Sequence, residues 1–296
     1  MHLGFDFGRR HARNAECGYE KEFTQMTSIG NSVPRIRDDQ AADNLLVVRD
    51  ISVRFGGIVA LDGVSFEVPK SRIVGLIGPN GAGKTTLFNC LSRIYQPSSG
   101  DIEFDGHSIM ALPAHRIAGL GIGRTFQNLA LFDSASVFEN IRIGCHARDT
   151  GNLVSDLLHL PASRRTSREA TRSAEQLIAY LDLSRVAREN VAALPFGTRK
   201  RVELARALAL KPRLLLLDEP ACGLNHEEVE GLGQLIRRAQ RDFDLTILLV
   251  EHHMGLVMGI SDRIVAFHFG RRIAAGTPAE IQSDPHVIAA YLGDRQ

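Results

Sequence analysis

Gly78-Pro79-Asn80-Gly81-Ala82-Gly83-Lys84-Thr85 decides the reading of this chain. The stretch satisfies G-x-x-x-x-G-K-[ST] in full. It follows Ile73-Val74-Gly75-Leu76-Ile77, an apolar run with the composition of a buried strand. It precedes Thr86-Leu87-Phe88-Asn89-Cys90-Leu91, which has helical spacing. Strand, glycine loop and helix in that order form a cradle for phosphate. The glycines let backbone N–H groups curl around an anion. The new helix points its positive end at the same place. In such a cradle Lys84 reaches the β- and γ-phosphates, and the Thr85 hydroxyl suits Mg²⁺. An ordinary glycine-rich turn has no need of Lys and Thr in register behind a strand.

The bulk properties narrow the class. The chain has 296 residues, a net charge of +1 and a pI of about 7.8, so no global field points to nucleic acid. Its longest apolar runs, such as Leu214 to Leu217 and Leu245 to Val250, fall far short of the roughly 18 residues that span a bilayer. The N-terminus carries charges but no apolar segment of the secretory kind. Cys17, Cys90, Cys145 and Cys222 are scattered and form no C-x-x-C, which fits reduced cytosolic thiols. Residues 1–43 read as a disordered extension, with Met26 an alternative start. Residues 44–296 read as the working domain.

Periodicity sketches that domain. Leu45 to Val48, Ile51 to Val53 and Val64 to Val68 read as strands, with a turn at Phe55-Gly56-Gly57. Ile102-Glu103-Phe104 runs into Asp105-Gly106, a hairpin signal. Gly121 to Gln127 reads as extended. From about 128 to 212 the pattern is mostly helical, with Ala174, Leu177, Ile178 and Leu181 on one stripe. Leu214 to Leu217 and Thr246 to Val250 are continuous apolar strands of the kind buried on both faces of a parallel sheet. Thr277-Pro278-Ala279-Glu280 is a capping box with Pro at the first helical position, and Asp284-Pro285 repeats the cap-then-Pro signal.

A second chemical motif is Leu214-Leu215-Leu216-Leu217-Asp218-Glu219. A carboxylate at the end of a buried strand can hold Mg²⁺ beside a phosphate cradle. The carboxylate after it faces differently and can orient or deprotonate an attacking water.

A third motif fixes the relationship. Leu194-Pro195-Phe196-Gly197-Thr198 precedes the helical run Val202 to Ala209, just ahead of the Asp218-Glu219 strand. Here the chain resembles the ATP-binding cassette (ABC) family, whose signature loop has the form L-S-G-G-Q. Phe55 stands where the family stacks an aromatic on adenine. Gln127, in Arg124-Thr125-Phe126-Gln127-Asn128, matches the Q-loop. Gly223-Leu224-Asn225 matches the D-loop, and His252 the switch histidine. The resemblance covers about residues 45 to 293. Arg54 to Asp62, Ala221 to Asn225 and the tail Gly276 to Gly293 are similar to one branch, the ATPase subunits of branched-chain amino-acid importers. Relatives in that branch serve urea, amides or aromatic acids.

The resemblance implies an α/β P-loop NTPase fold with an antiparallel β subdomain, a mixed or parallel core sheet and a helical subdomain. It implies ATP and Mg²⁺, with Thr85, Gln127 and Asp218 at the metal. Glu219, His252 and Gln127 would serve catalysis, and Gly197 the nucleotide of the opposite subunit. It further implies a second ABC ATPase subunit, identical or homologous, and integral membrane permease subunits. An external solute-binding protein would act indirectly. The chain would then work peripherally at the cytoplasmic face of a prokaryotic membrane, and nucleic acid would have no part. The surface after Gln127, with Phe132, Val137 and Phe138, is the expected permease contact. Internal packing is the competing reading for each of the three. Arg164, Arg165, Arg168 and Arg172 read as a solvated face.

Two departures stand out. Pro195 replaces the signature serine and Thr198 its glutamine, which leaves the N–H groups of Phe196, Gly197 and Thr198 as donors. His253 stands where an Asp often follows the switch histidine; adjacent histidines rarely chelate one ion, so a metal pair is rejected. The alternatives are an export or non-transport ABC ATPase, and a module that holds ATP without turnover. The single cassette without sustained heptads opposes a DNA or ribosome role. Glu219 and His252 oppose a non-hydrolysing module. A GTPase lacks support, because no N-K-x-D is present.

Overall fold

Strands β3 (Ile73–Ile77), β7 (Leu214–Asp218) and β8 (Thr246–Val250) are buried at every position. Their side chains serve two cores. Ile73, Ile77, Leu215, Leu217, Ile247 and Leu249 enter one, and Val74, Leu76, Leu214, Leu216, Leu248 and Val250 the other. This period-2 division of an unbroken apolar run is what a sheet covered on both faces requires. The computed structural model describes residues 43–126, 129–146 and 161–292. The expected N-terminal extension up to residue 42 lies outside the described residues, as does Gln127.

The central sheet has six strands in the order β10-β9-β3-β8-β7-β6, with β6 spanning Ile122–Arg124, β9 Arg263–His268 and β10 Arg271–Gly276. All neighbours are parallel except β9 and β10. A second, antiparallel sheet has the order β2-β1-β4-β5, formed by β1 (Asn44–Phe55), β2 (Ile58–Pro69), β4 (Ser99–Phe104) and β5 (His107–Ser108). The two runs read as separate strands at 45–48 and 51–53 are one strand. Asp50, at φ 49°, sits at the register shift between Val48 and Ile51. Asp105 and Gly106 both have positive φ, 52° and 76°, as a two-residue hairpin turn demands.

Helix α1 (Lys84–Leu91) follows β3 and packs Leu87, Phe88 and Leu91 into the core shared with the antiparallel sheet. A short helix α2 (Ala114–Ile117) leads toward β6. Helices α3 (Val137–His146), α4 (Pro161–Tyr180) and α5 (Phe196–Ala209) build the other core with α6 (His226–Asp242) and α7 (Met254–Ile260). Ala174, Leu177, Ile178 and Leu181 all face it, as their spacing predicts. Thr277 and Glu280 form the expected reciprocal cap of α8 (Pro278–Ser283), and Asp284 accepts the first N–H groups of α9 (Pro285–Leu292). Among the described residues no helix is long and apolar enough to cross a membrane.

At Val137 the internal-packing reading holds. Val137 is fully buried and cannot meet a permease. It opens α3 with Ile141 one turn on, and both side chains enter the core. Phe138 is half-buried against the same core, while Phe132 is 52% exposed with the Arg206 guanidinium over its ring. Arg168 and Arg172 are exposed on α4; the side chains of Arg164 and Arg165 lie outside the described residues.

Helices α3 and α5 meet at Gly144. A Cβ there would stand 2.4 Å from the Arg206 carbonyl oxygen and 3.0 Å from the Ala209 Cβ. Gly144→Ala therefore pushes two helices apart through backbone. Overpacking of this kind costs about 2 kcal/mol. Thermal unfolding should show the midpoint lowered by roughly 4–8 °C, despite the better helix propensity of alanine.

Candidate functional site

Parallel order brings four strand ends to one edge. β3 ends at the glycine loop, β7 at Asp218-Glu219, β8 at Glu251-His252 and β6 at Arg124-Thr125. Polar side chains that the sequence scatters over some 170 positions therefore share one crevice, at the carboxyl ends of the strands.

The glycine loop has the form its sequence predicts. Gly78, Gly81 and Gly83 have φ of 152°, 81° and 98°. At Gly78 a Cβ would stand 2.3 Å from the Phe267 carbonyl oxygen, and at Gly83 it would stand 2.6 Å from that of Ala60. Backbone thus packs on backbone, and glycine is required. The first i→i−4 bond of α1 joins the Leu87 N–H to Gly83 O at 2.9 Å. The N–H groups of Lys84, Thr85 and Thr86 precede that ladder and suit an anion. Pro79, Asn80 and Gly81 form the more open rim, and Ala82 is buried beneath it. The Lys84 ammonium bridges the carbonyls of Gly78 (2.6 Å) and Pro79 (3.0 Å) across the mouth of the loop. Burial lowers its pKa to about 8, against the upward pull of the Glu219 and Asp218 carboxylates.

Phe55 closes the end of β1 with 46% of its surface exposed, edge-on to Tyr95 at 5.2 Å between centroids. It flanks the hairpin whose return strand lays Ala60 and Leu61 against Gly83 and Gly270. An aromatic face beside the phosphate cradle is what a purine needs.

Asp218 and Glu219 diverge as expected. Asp218 is buried, and desolvation raises its pKa against the opposing effect of Arg124, which donates from Nη2 to Oδ2 at 2.8 Å. Glu219 turns away with a left-handed φ of 47°. A non-glycine residue in that region carries backbone strain. Its Oε1 lies 2.9 Å from His252 Nε2. A carboxylate only accepts, so Nε2 carries the proton.

Several contributors lie beyond the motifs. Glu251 is buried and collects three backbone donors: Ala221 N–H on Oε1 at 2.6 Å, and the N–H groups of His252 and His253 on Oε2 at 2.9 and 3.2 Å. It ties the turn after Glu219 to the turn carrying His252. Burial raises its pKa against those bonds. Glu203, on α5, accepts the Phe126 N–H at 3.0 Å and so holds the segment entering Gln127. Nothing in local spacing marks either glutamate.

Gly197 lies on another element, in the first turn of α5. A Cβ there would lie 2.7 Å from Glu228 Oε1. Phe196 beside it packs on Gly223. The signature loop is therefore fastened to the D-loop of its own chain. Pro195 is the N-cap and no side chain caps the helix, so the N–H groups of Phe196, Gly197 and Thr198 stay available. His253 fares differently. Its Nδ1 accepts the Leu256 N–H at 3.2 Å and caps α7.

Glu251→Ala strands three backbone N–H groups. Each unsatisfied buried donor costs about 1–3 kcal/mol. Urea titration should show stability reduced by at least about 2 kcal/mol, with Glu251→Gln, which keeps one acceptor oxygen, falling between.

Comparison with known proteins shows what the chain is similar to. The family model described as ABC transporter matches residues 61–222, and that described as branched-chain amino acid ATP-binding cassette transporter matches residues 271–296. The high-affinity branched-chain amino acid transport ATP-binding protein BraF of Pseudomonas aeruginosa is 44% identical over 250 residues, covering 84% of this chain and 98% of the relative. LivG of Escherichia coli K12, which bears the same description, is 43% identical with the same coverage. A solved ATP-binding cassette of an ABC transporter in its ADP conformation is 27% identical, with a TM-score of 0.74 over 86% of this chain and all of the other.

Proposed function

The chain belongs to the ABC transporter family, and we propose that it is the ATP-hydrolysing subunit of a membrane importer for branched-chain amino acids or closely related small solutes. The contact that carries the hydrolytic reading is Glu219 Oε1 to His252 Nε2, 2.9 Å apart at the strand ends beside the phosphate loop. The solute reading rests on the relatives and on the C-terminal match.

In this reading Phe55 stacks on adenine. The loop from Gly78 to Gly83 and the N–H groups of Lys84, Thr85 and Thr86 hold the phosphates. Lys84 leaves the loop carbonyls for the β- and γ-phosphates, whose charge restores the full ammonium that burial opposes. Glu219 accepts a hydrogen bond from the attacking water and aims it in line. His252 fixes the rotamer of Glu219 and donates toward the γ-phosphate. Catalysis is then positioning and electrostatics, as phosphoryl transfer requires.

The donor set fits Mg²⁺. The Thr85 hydroxyl and the Asp218 carboxylate are hard oxygens, and Arg124 takes only Oδ2 of Asp218. A bound ion would neutralise charge on the β- and γ-phosphates. Gln127 would complete the set.

The opposite face of each nucleotide needs a second ATPase subunit, a copy or a homologue. It supplies Gly197 and the open N–H groups at the start of its α5. Permease subunits dock near Phe132, and an external solute-binding protein delivers solute to them. The chain sits peripherally on the cytoplasmic face.

Hydrolysis of Mg-ATP by the chain with its permease partners should exceed that of the chain alone, and Glu219→Gln should abolish it while retaining ATP binding. Binding without turnover in any combination would make this chain a regulatory half. Pro195→Ser supplies an N-cap oxygen and a hydroxyl. It should raise ATPase activity several-fold and stability by about 0.5–2 kcal/mol. Unchanged or lower turnover would show that backbone donors alone suffice.

A further inference from the structure

Arg124 is assigned no chemical role above, yet it is buried and held from several sides. Its side chain is 8% exposed. Nη2 donates to Asp218 Oδ2 at 2.8 Å, and Nη1 to Asn89 Oδ1 at 2.9 Å and Ser92 Oγ at 3.1 Å. The guanidinium lies 5.5 Å from the Phe88 ring centroid and 5.0 Å from that of Phe126. One residue on, Thr125 Oγ1 accepts the Asp218 N–H at 3.3 Å. The end of β6 thus grips both the backbone and the side chain of Asp218. It also ties them to α1, the helix that carries Thr85.

We propose that Arg124 is a positioning residue for the divalent ion: it holds Asp218 Oδ2 against α1 and so fixes the carboxylate whose Oδ1 is left for the ion. This rests on the reading of Asp218 and Thr85 as metal ligands. A rigid fork suits the task, because one planar group satisfies acceptors on two elements at fixed angles. A lysine can reach one of them.

The sign of the effect separates a hold from simple charge. Removing a cation near a metal site strengthens metal binding by Coulomb's law. Removing a hold weakens it, because the carboxylate must then be ordered by the metal itself. The experiment uses the full-length chain and a non-hydrolysable ATP analogue, with affinity measured in Mg²⁺ and in EDTA. The ratio of the two dissociation constants reports what the metal adds. Arg124→Met should reduce that ratio at least fivefold, with affinity in EDTA within twofold of wild type. Arg124→Lys should lie between, and it carries the test if Arg124→Met does not fold. Asp218→Asn is run beside them. If Asp218→Asn abolishes the Mg²⁺ gain and the Arg124 variants retain or exceed it, the proposal for Arg124 is wrong. If Asp218→Asn leaves the gain intact, the metal reading fails and the proposal falls with it. Equal losses in Mg²⁺ and EDTA would mean that Arg124 only supports the fold, which also overturns the proposal.

Discussion

A strand buried on both faces can show polar groups to solvent only at its ends. β3, β7 and β8 are such strands, and because they run parallel their working ends lie on one edge. The rest of the site follows from that constraint. Lys84, Asp218, Glu219, Glu251 and His252 are adjacent because the core leaves them nowhere else to emerge. The same burial makes each charge costly, so each is tightly partnered. Lys84 spans two carbonyls, Asp218 holds Arg124, and Glu251 collects three N–H groups.

How much of this is legible in the sequence depends on whether a feature is local. The glycine loop, the apolar run ending in Asp218 and the Thr277 capping box are encoded by neighbours, and the structure forms all three. Val137 reads equally as a permease contact or as internal packing, and helix phase, which pairs it with Ile141, turns both inward. Arg124 is least legible. Its partners Asn89, Ser92 and Asp218 lie 35, 32 and 94 residues away, and no periodicity links them. Glu203 and Glu251 are hidden for the same reason: they bind backbone N–H groups of distant turns, which any residue offers.

The departures from the family pattern are physically unlike. His253 changes the residue but keeps the bond, since a neutral imidazole nitrogen caps α7 as a carboxylate would. Pro195 removes the bond itself. It presets an extended backbone before α5, with φ −54° and ψ 150°, and contributes neither cap nor donor. What it leaves is the helix terminus, with three N–H groups and the positive end of the dipole.

That terminus is not independent of the chain's own carboxylate. Phe196 lies on Gly223, and Gly197 against Glu228, which also completes the cap of α6 with Asn225. The turn from Glu219 to Asn225 runs between them, pinned by Glu251 at Ala221. The start of α5 is packed on the turn that follows Glu219. A shift of α5 must move Phe196 off Gly223 or carry the turn with it. A Cβ at Gly223 would stand only 2.9 Å from the Phe196 ring, so only glycine admits the ring at this position. The start of α5 thus rests on the turn after Glu219 through Phe196 on Gly223, and on α6 through Gly197 against Glu228.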